Sequence, residues 1–181
     1  MSTTTQREVT QATPATTASP KTRLFTIIAL IAMVVGAGSL LGGIAGAIYT
    51  YDQAAVQDIT TPDDAVFPEV PVRGPISMWA QSDIITTHQL DRTGGLYYSQ
   101  MDREAPVLDE AGEPVIGEDG EPVMGPNTER LSWIDATALT TVLGMGILAY
   151  ALAAFAIAVG ATLIALGLAV YKLRNSQLVI S

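Results

Sequence analysis

Two long stretches without a single charge enclose a strongly acidic middle, and this arrangement constrains the chain more than anything else in it. Leu24 to Tyr51 is charge-free over 28 positions and Ala136 to Tyr171 over 36, whereas a bilayer core needs roughly 20 helical residues. Both stretches are long enough to cross a membrane as helices. Between Asp52 and Asp135 there are 17 Asp plus Glu against four Arg (Arg73, Arg92, Arg103, Arg130), a net charge of −13. The two ends carry Arg7, Lys21, Arg23, Lys172 and Arg174 against Glu8 alone, a net of +4. Lys and Arg flanking a span stay on the cytoplasmic side. The expected topology is therefore a plasma-membrane protein with two spans, both termini inside and the acidic segment outside.

The predicted fold class is all-α: two transmembrane helices joined by a long acidic extracytoplasmic segment with one short helix. Its parts are a cytoplasmic tail over 1–23 that is expected to be disordered or ordered by a partner, a first span over 24–51, the acidic segment over 52–131, a second helix over 132–171 that crosses lipid at about 150–171, and a cytoplasmic tail over 172–181. A cleaved signal peptide is the rival reading of the first stretch, because Ala45, Gly46 and Ala47 resemble a small-residue cleavage site. Against it stand an apolar run longer than the usual 7–15 residues and a polar leader of 23 residues before it.

Small residues mark candidate packing faces. Gly38, Gly42 and Gly46 recur every four positions, which places them on one helix face where another backbone can approach closely. Ala149, Ala153, Ala156 and Gly160 supply a similar face in the second stretch. That stretch is overlong: 36 residues extend about 54 Å as helix against a hydrocarbon thickness of about 30 Å. Its first turns, from Ile134 to Ala149, are expected to stand partly outside lipid, where they need cover, or to belong to a strongly tilted helix. Ser132 is the expected helix cap, with Asp135 at the third position.

The acidic segment divides into three. Gln53 to Arg73 holds Pro62, Pro68 and Pro71 and reads as extended, irregular chain suited to lying along another protein. Pro75 to about Asp91 reads as a helix, with Pro75 at its start and Gly94 and Gly95 stopping it; Ile76, Trp79, Ala80 and Ile84 form its expected apolar face. Next comes a tandem octapeptide, Glu110–Gly117 followed by Glu118–Gly125, whose copies differ at two positions. Two copies are too few for a solenoid, so the expected form is an exposed ribbon or a pair of turns.

Catalytic apparatus is not evident. Cysteine is absent, which removes disulfides, thiolate metal sites and cysteine nucleophiles together. The acidic octapeptides do not reproduce a calcium-loop spacing. His88 is the lone histidine, with Asp83, Asp91 and Glu104 as expected neighbours, and neither Ser82 nor Ser99 stands in a nucleophile context. The spans contain no ionisable residue of the kind that carries protons or ions across. Basic residues are too few for a nucleic-acid surface, and no cofactor is implied. Trp79, His88, Tyr98 and Arg103 remain as candidate contacts for a partner protein.

The residues Gly74, Pro75, Gln81, Ile85, His88, Gly95, Tyr98, Asp102, Arg103, Glu104 and Pro106 together resemble a group of actinobacterial two-span membrane proteins. That group is similar to accessory subunits of the respiratory supercomplex that joins a cytochrome bcc complex to cytochrome c oxidase. The resemblance implies a non-catalytic subunit that stabilises or bridges these larger integral subunits and contacts membrane lipid. Members of the group also carry the label of aromatic ring-opening dioxygenases; the ligand set those enzymes place around non-haem iron is missing from this chain. From a different class comes the alternative of a stand-alone envelope protein whose acidic loop recruits a basic partner or cations.

Overall fold

Both charge-free stretches form helices, and both helices run past them. In a computed structural model, which describes residues 20–177, the first helix, α1, covers Pro20–Val56; α2 covers Pro75–Arg92; and α3 covers Thr128–Gln177. Apolar length sets how much of a helix lipid can cover, not where its hydrogen-bond ladder stops. Asp52, Gln53 and the alanines after them continue α1 for more than a turn. The intervening segment also contains a 3₁₀ turn, Tyr98–Gln100, and two short antiparallel strands, β1 at Glu104–Pro106 and β2 at Met124–Pro126. The chain is thus mostly helical rather than all-α.

Two units make up the chain. The first joins α1 up to Ala37 with α3 from Ala161 onward. In it a Cβ added at Gly167 would stand 2.8 Å from the Ala29 carbonyl oxygen and 2.6 Å from Met33 Cγ. Only a glycine permits this approach. Ala29 is almost wholly covered.

The second unit, Gly38–Gly160, holds the rest of both helices and everything between them. Here a Cβ at Gly43 would lie 2.7 Å from the Ala153 carbonyl oxygen and 3.0 Å from the Ile157 nitrogen, while Ser39 Oγ donates to the Ala156 carbonyl at 2.9 Å. Close backbone approach and a polar contact thus join the two helices here, the mode of association that apolar helices use where the hydrophobic effect does not drive them together. Buried small residues follow a spacing of seven: Ala29, Gly36 and Gly43 on α1; Ala153, Gly160 and Gly167 on α3. Seven residues is nearly two turns, so each set lies on one face of its helix.

α2 runs antiparallel along the N-terminal turns of α3. Tyr150 Oη donates to the Arg73 carbonyl at 2.6 Å just before α2 begins, the Met78 side chain fills the place where Gly146 lacks one, and Gln89 Nε2 donates to Ser132 Oγ at 2.6 Å near α2's other end. One side of the overlong helix is covered in this way by its own chain, while Ile134, Leu139, Val142, Met145 and Leu148 stay exposed. The buried residues of α2 agree with the expected face at Ala80 and Ile84 and differ from it elsewhere. Met78, Ala80, Ile84 and Gln89 are buried, whereas Ile76 and Trp79 are exposed, because α3 presents a glycine into which a flexible Met at position 78 fits. α2 ends as expected: Gly94 and Gly95 both take positive φ, and the Gly95 N–H donates to the Leu90 carbonyl at 2.7 Å.

α3 begins four residues before the expected cap. Asn127 Oδ1 accepts the Arg130 N–H at 3.0 Å, the arrangement of a helix N-cap. Ser132 is instead inside the helix, donating to the Glu129 carbonyl and receiving Gln89. Trp133 is buried beneath Tyr97, ring centroids 5.3 Å apart, with its Nε1 donating to the Leu96 carbonyl at 3.0 Å.

The segment from 57 to 73 is not extended. Its centre is Thr61, almost fully buried, whose hydroxyl donates to the Phe67 carbonyl at 2.6 Å and accepts the Val70 N–H at 3.0 Å. Further backbone bonds from Val72 to Ile59 and from Glu69 to Thr61 close the loop. Prolines limit its dihedrals, and a buried hydroxyl supplies the partners that the backbone between them lacks.

The octapeptides are two turns, as expected, but they belong to a set of three. Each turn is organised by an aspartate: Asp109 Oδ1 accepts the Ala111 and Glu113 N–H groups, and Asp119 Oδ1 accepts that of Glu121. A degenerate third copy, Pro106-Val107-Leu108, precedes Pro114-Val115-Ile116 and Pro122-Val123-Met124 at the same spacing of eight. Val115 N–H donates to the Val107 carbonyl, Val123 to Val115, and Val107 to Val123, each at 2.8 Å. Three equivalent backbone bonds close a ring, and Asn127 ties it to α3 by bonding the Arg103 and Asp102 carbonyls.

Candidate functional site

The small-residue candidates separate into two groups. Ala153 is buried against Gly43, and Gly160 is buried. Ala149 is half-covered. Gly38, Gly42 and Gly46 face open space, with nothing within 4 Å of where a Cβ would stand on any of them. Gly43, which α3 does approach, is one residue round the helix from Gly42, and a 100° turn per residue carries it to a different face. In the second unit α1 therefore presents one glycine that α3 approaches, Gly43, and an open row of three, Gly38, Gly42 and Gly46.

Among the partner candidates, Trp79 is 48% exposed on α2. His88, near the other end of α2, is half exposed, and its Nε2 lies 2.6 Å from Asp64 Oδ2. None of the expected neighbours Asp83, Asp91 or Glu104 makes that contact; the folded loop around Thr61 brings in an acid from 24 positions upstream. The hydrogen bond from His88 holds the Asp64 carboxyl below the usual carboxylate range. Tyr98 lies under the Arg130 guanidinium, 3.7 Å from ring centroid to Cζ, a cation–π contact. Arg103 is exposed, and its carbonyl accepts from Asn127.

Chemically, the His88–Asp64 pair has the first two parts of a relay, and among the described residues no hydroxyl or thiol is shown bonded to the imidazole as the third. Among the described residues no three His, Cys, Asp or Glu side chains converge in a way that could hold a metal ion. The pair is suited to pinning the loop onto α2.

One surface feature was not read from the sequence as a unit. Phe67, Val70, Gly74, Pro75, Ile76 and Ser77 line an open hollow of about 380 Å³ where the Thr61 loop meets the start of α2. Val66, Phe67, Ile76 and Trp79 around it are all exposed. An apolar loop residue and an apolar helix face nine positions apart carry no shared periodicity, so only folding brings them together.

Comparison with protein families, with characterised proteins and with solved structures finds no match for this chain.

Proposed function

We propose that this protein is a non-catalytic accessory subunit of a large plasma-membrane complex, with both termini cytoplasmic and the acidic segment outside. The observation that carries the reading is the open row Gly38, Gly42, Gly46 beside the occupied Gly43. Two helices long and apolar enough to cross a membrane bury little of their surface on one another, with Leu24, Val34, Leu41, Val142, Leu152 and Phe155 all more than half exposed. Lipid can cover such side chains. A bare glycine row is different: it presents backbone, and close approach by another helix is what gives it value.

The resemblance to subunits accompanying cytochrome bcc and cytochrome c oxidase selects a respiratory complex as the partner, and the role it supports is stabilising or bridging larger subunits. Purification of the native complex under mild detergent is the test, with this chain expected in fixed ratio to the large subunits. The competing reading, electrostatic recruitment of a basic soluble partner by the acidic segment, is favoured by the exposure of Glu110, Glu113, Glu118, Asp119 and Glu121. Attraction between exposed charges is screened beyond about 8 Å at physiological salt. A wash at 1 M salt, where that distance falls to about 3 Å, therefore strips a recruited partner and leaves an integral subunit in place. Loss of fixed stoichiometry in the washed complex overturns the subunit proposal.

A further inference from the structure

Given a membrane-spanning chain, the reading just proposed, the apolar hollow beside α2 falls at a definite height. On α1, Gly43 meets Ala153 of α3. Six residues further along α1 is Tyr49, and six residues back along the antiparallel α3 is Ile147, each about 9 Å from that contact. Tyr49 and Tyr51 are the last residues before the charge-free run stops at Asp52, the place where aromatic side chains meet lipid headgroups. Ile147 lies between Gly146 and Tyr150, the two α3 residues that hold the start of α2 through Met78 and the Arg73 carbonyl. The beginning of α2 is thus fixed at the outer edge of the hydrocarbon, not out in solvent.

At that level the segment shows apolar side chains. Ile76 is 67% exposed and Trp79 48%, with Val66 and Phe67 from the neighbouring loop similarly open. No charged side chain lines the hollow among them. Lipid contact also requires that backbone polar groups be satisfied, and here the Phe67 carbonyl and Val70 N–H are both bonded to Thr61. On α2, Met78 and Gln89 turn to α3 while Ala80 and Ile84 are buried on another side of the helix, which leaves Ile76 and Trp79 as the exposed apolar side chains near its start.

We propose that Phe67, Ile76 and Trp79 form an interfacial anchor that inserts into the headgroup–acyl boundary of the outer leaflet, so that the segment between the spans rests on lipid at the start of α2. The occupant is the lipid surface. Its attraction is apolar, and it persists at high salt despite Asp63, Asp64 and Glu69 in the same loop.

The chain has two tryptophans, Trp79 and Trp133, which makes a direct measurement possible. The full-length W133F variant is reconstituted into phosphatidylcholine nanodiscs with plain or brominated acyl chains, and its emission is recorded with and without iodide. A parallel W79F/W133F chain carrying L152W places a reporter on the exposed apolar surface of α3. Trp79 emission is expected to fall roughly by half or more with brominated lipid, as suits an indole at the interface, and to resist iodide at 1 M salt. Because Trp133 is buried, the difference between wild-type and W79F emission gives the same quantity without altering that position. Quenching of the L152W reporter with Trp79 responding to iodide alone overturns the anchor while leaving the spans in lipid, and assigns the patch to water or to a protein partner. Failure of both positions to respond to brominated lipid overturns the membrane reading and the anchor with it.

Discussion

His88 shows how far a single residue's meaning depends on a fold that the local sequence does not spell out. As the lone histidine it stands out in the sequence, yet its acidic partner comes from a loop that local spacing could not place. That loop turns back because Thr61 satisfies the backbone of Phe67 and Val70, and nothing in the identity of a threonine announces such a role. The pair nevertheless makes a signed prediction. Asp64 is held below the usual carboxylate range by the His88 hydrogen bond, so its contribution to stability is present above the ordinary carboxylate pKa and is lost as pH falls through the lowered value. The H88A variant is expected to lose cohesion between loop and α2 at a higher pH than wild type during acid titration. Both side chains are about half exposed, so the shift is modest and shrinks with salt. Backbone amide exchange at Val70 and Val72 across pH 5 to 2 measures it; identical profiles for the two proteins would leave the pair without a stabilising role.

Helices were the most legible elements, and their contacts the least. Charge-free length announced α1 and α3, while Pro75, Gly94 and Gly95 bracketed α2 to within a residue, because these signals act through backbone dihedrals that need no tertiary partner. Faces are another matter. Glycines every four and small residues every seven both mark a side of α1, and the sequence holds no preference for which side meets α3. The cap of α3 was misplaced for a related reason: Ser132 has a capping side chain, but Gln89 claims it, and Asn127 takes the cap while also gripping the repeat. Gly43 and the open row separate experimentally. G43L places a branched side chain against the Ala153 carbonyl, with a Cβ already at 2.7 Å, and overpacking of this sort costs about 1–3 kcal/mol or more where backbone must move. G42L meets open space. In detergent, G43L is expected to lower the melting temperature of the isolated protein and G42L to leave it unchanged. In the native complex, G42L is expected to reduce co-purification with the large subunits. Equal melting of both variants refutes the contact at Gly43, and undiminished co-purification of G42L refutes the open row.

Across the whole molecule, the sequence divides charge cleanly, +4 at the ends and −13 between them, and from that division come the proposed topology and the expectation of an exposed acidic loop. What charge could not reveal is that part of this loop is internally bonded. Two octapeptides were visible as near-identical text. The third copy, at Pro106-Val107-Leu108, was hidden because the ring is built from backbone N–H and C=O groups, which place few demands on side-chain identity. In this cycle all three copies take part, each valine donating to one neighbour and accepting from the other. Deleting Glu113–Gly120 removes one octad and joins Gly112 to Glu121, which restores the Gly-Glu junction present before the deletion and leaves the local turn sequence intact. If the repeat is only a pair of independent turns, the remaining turn forms as before and the amides of Val107 and Val123 exchange at wild-type rates. A closed ring predicts otherwise: Val107 and Val123 lose their protection by about fivefold or more, matching the net contribution of roughly 1 kcal/mol from a backbone hydrogen bond. The loosening is expected to reach Asn127, whose bonds to Arg103 and Asp102 hold the start of α3, and to fade before Trp133, which Tyr97 and the Leu96 carbonyl secure independently. Hydrogen exchange resolved along residues 104–140 measures all of this in one experiment. Unchanged protection at Val107 would dismantle the ring, while loss extending past Trp133 into the apolar turns of α3 would mean that the repeat supports the span itself.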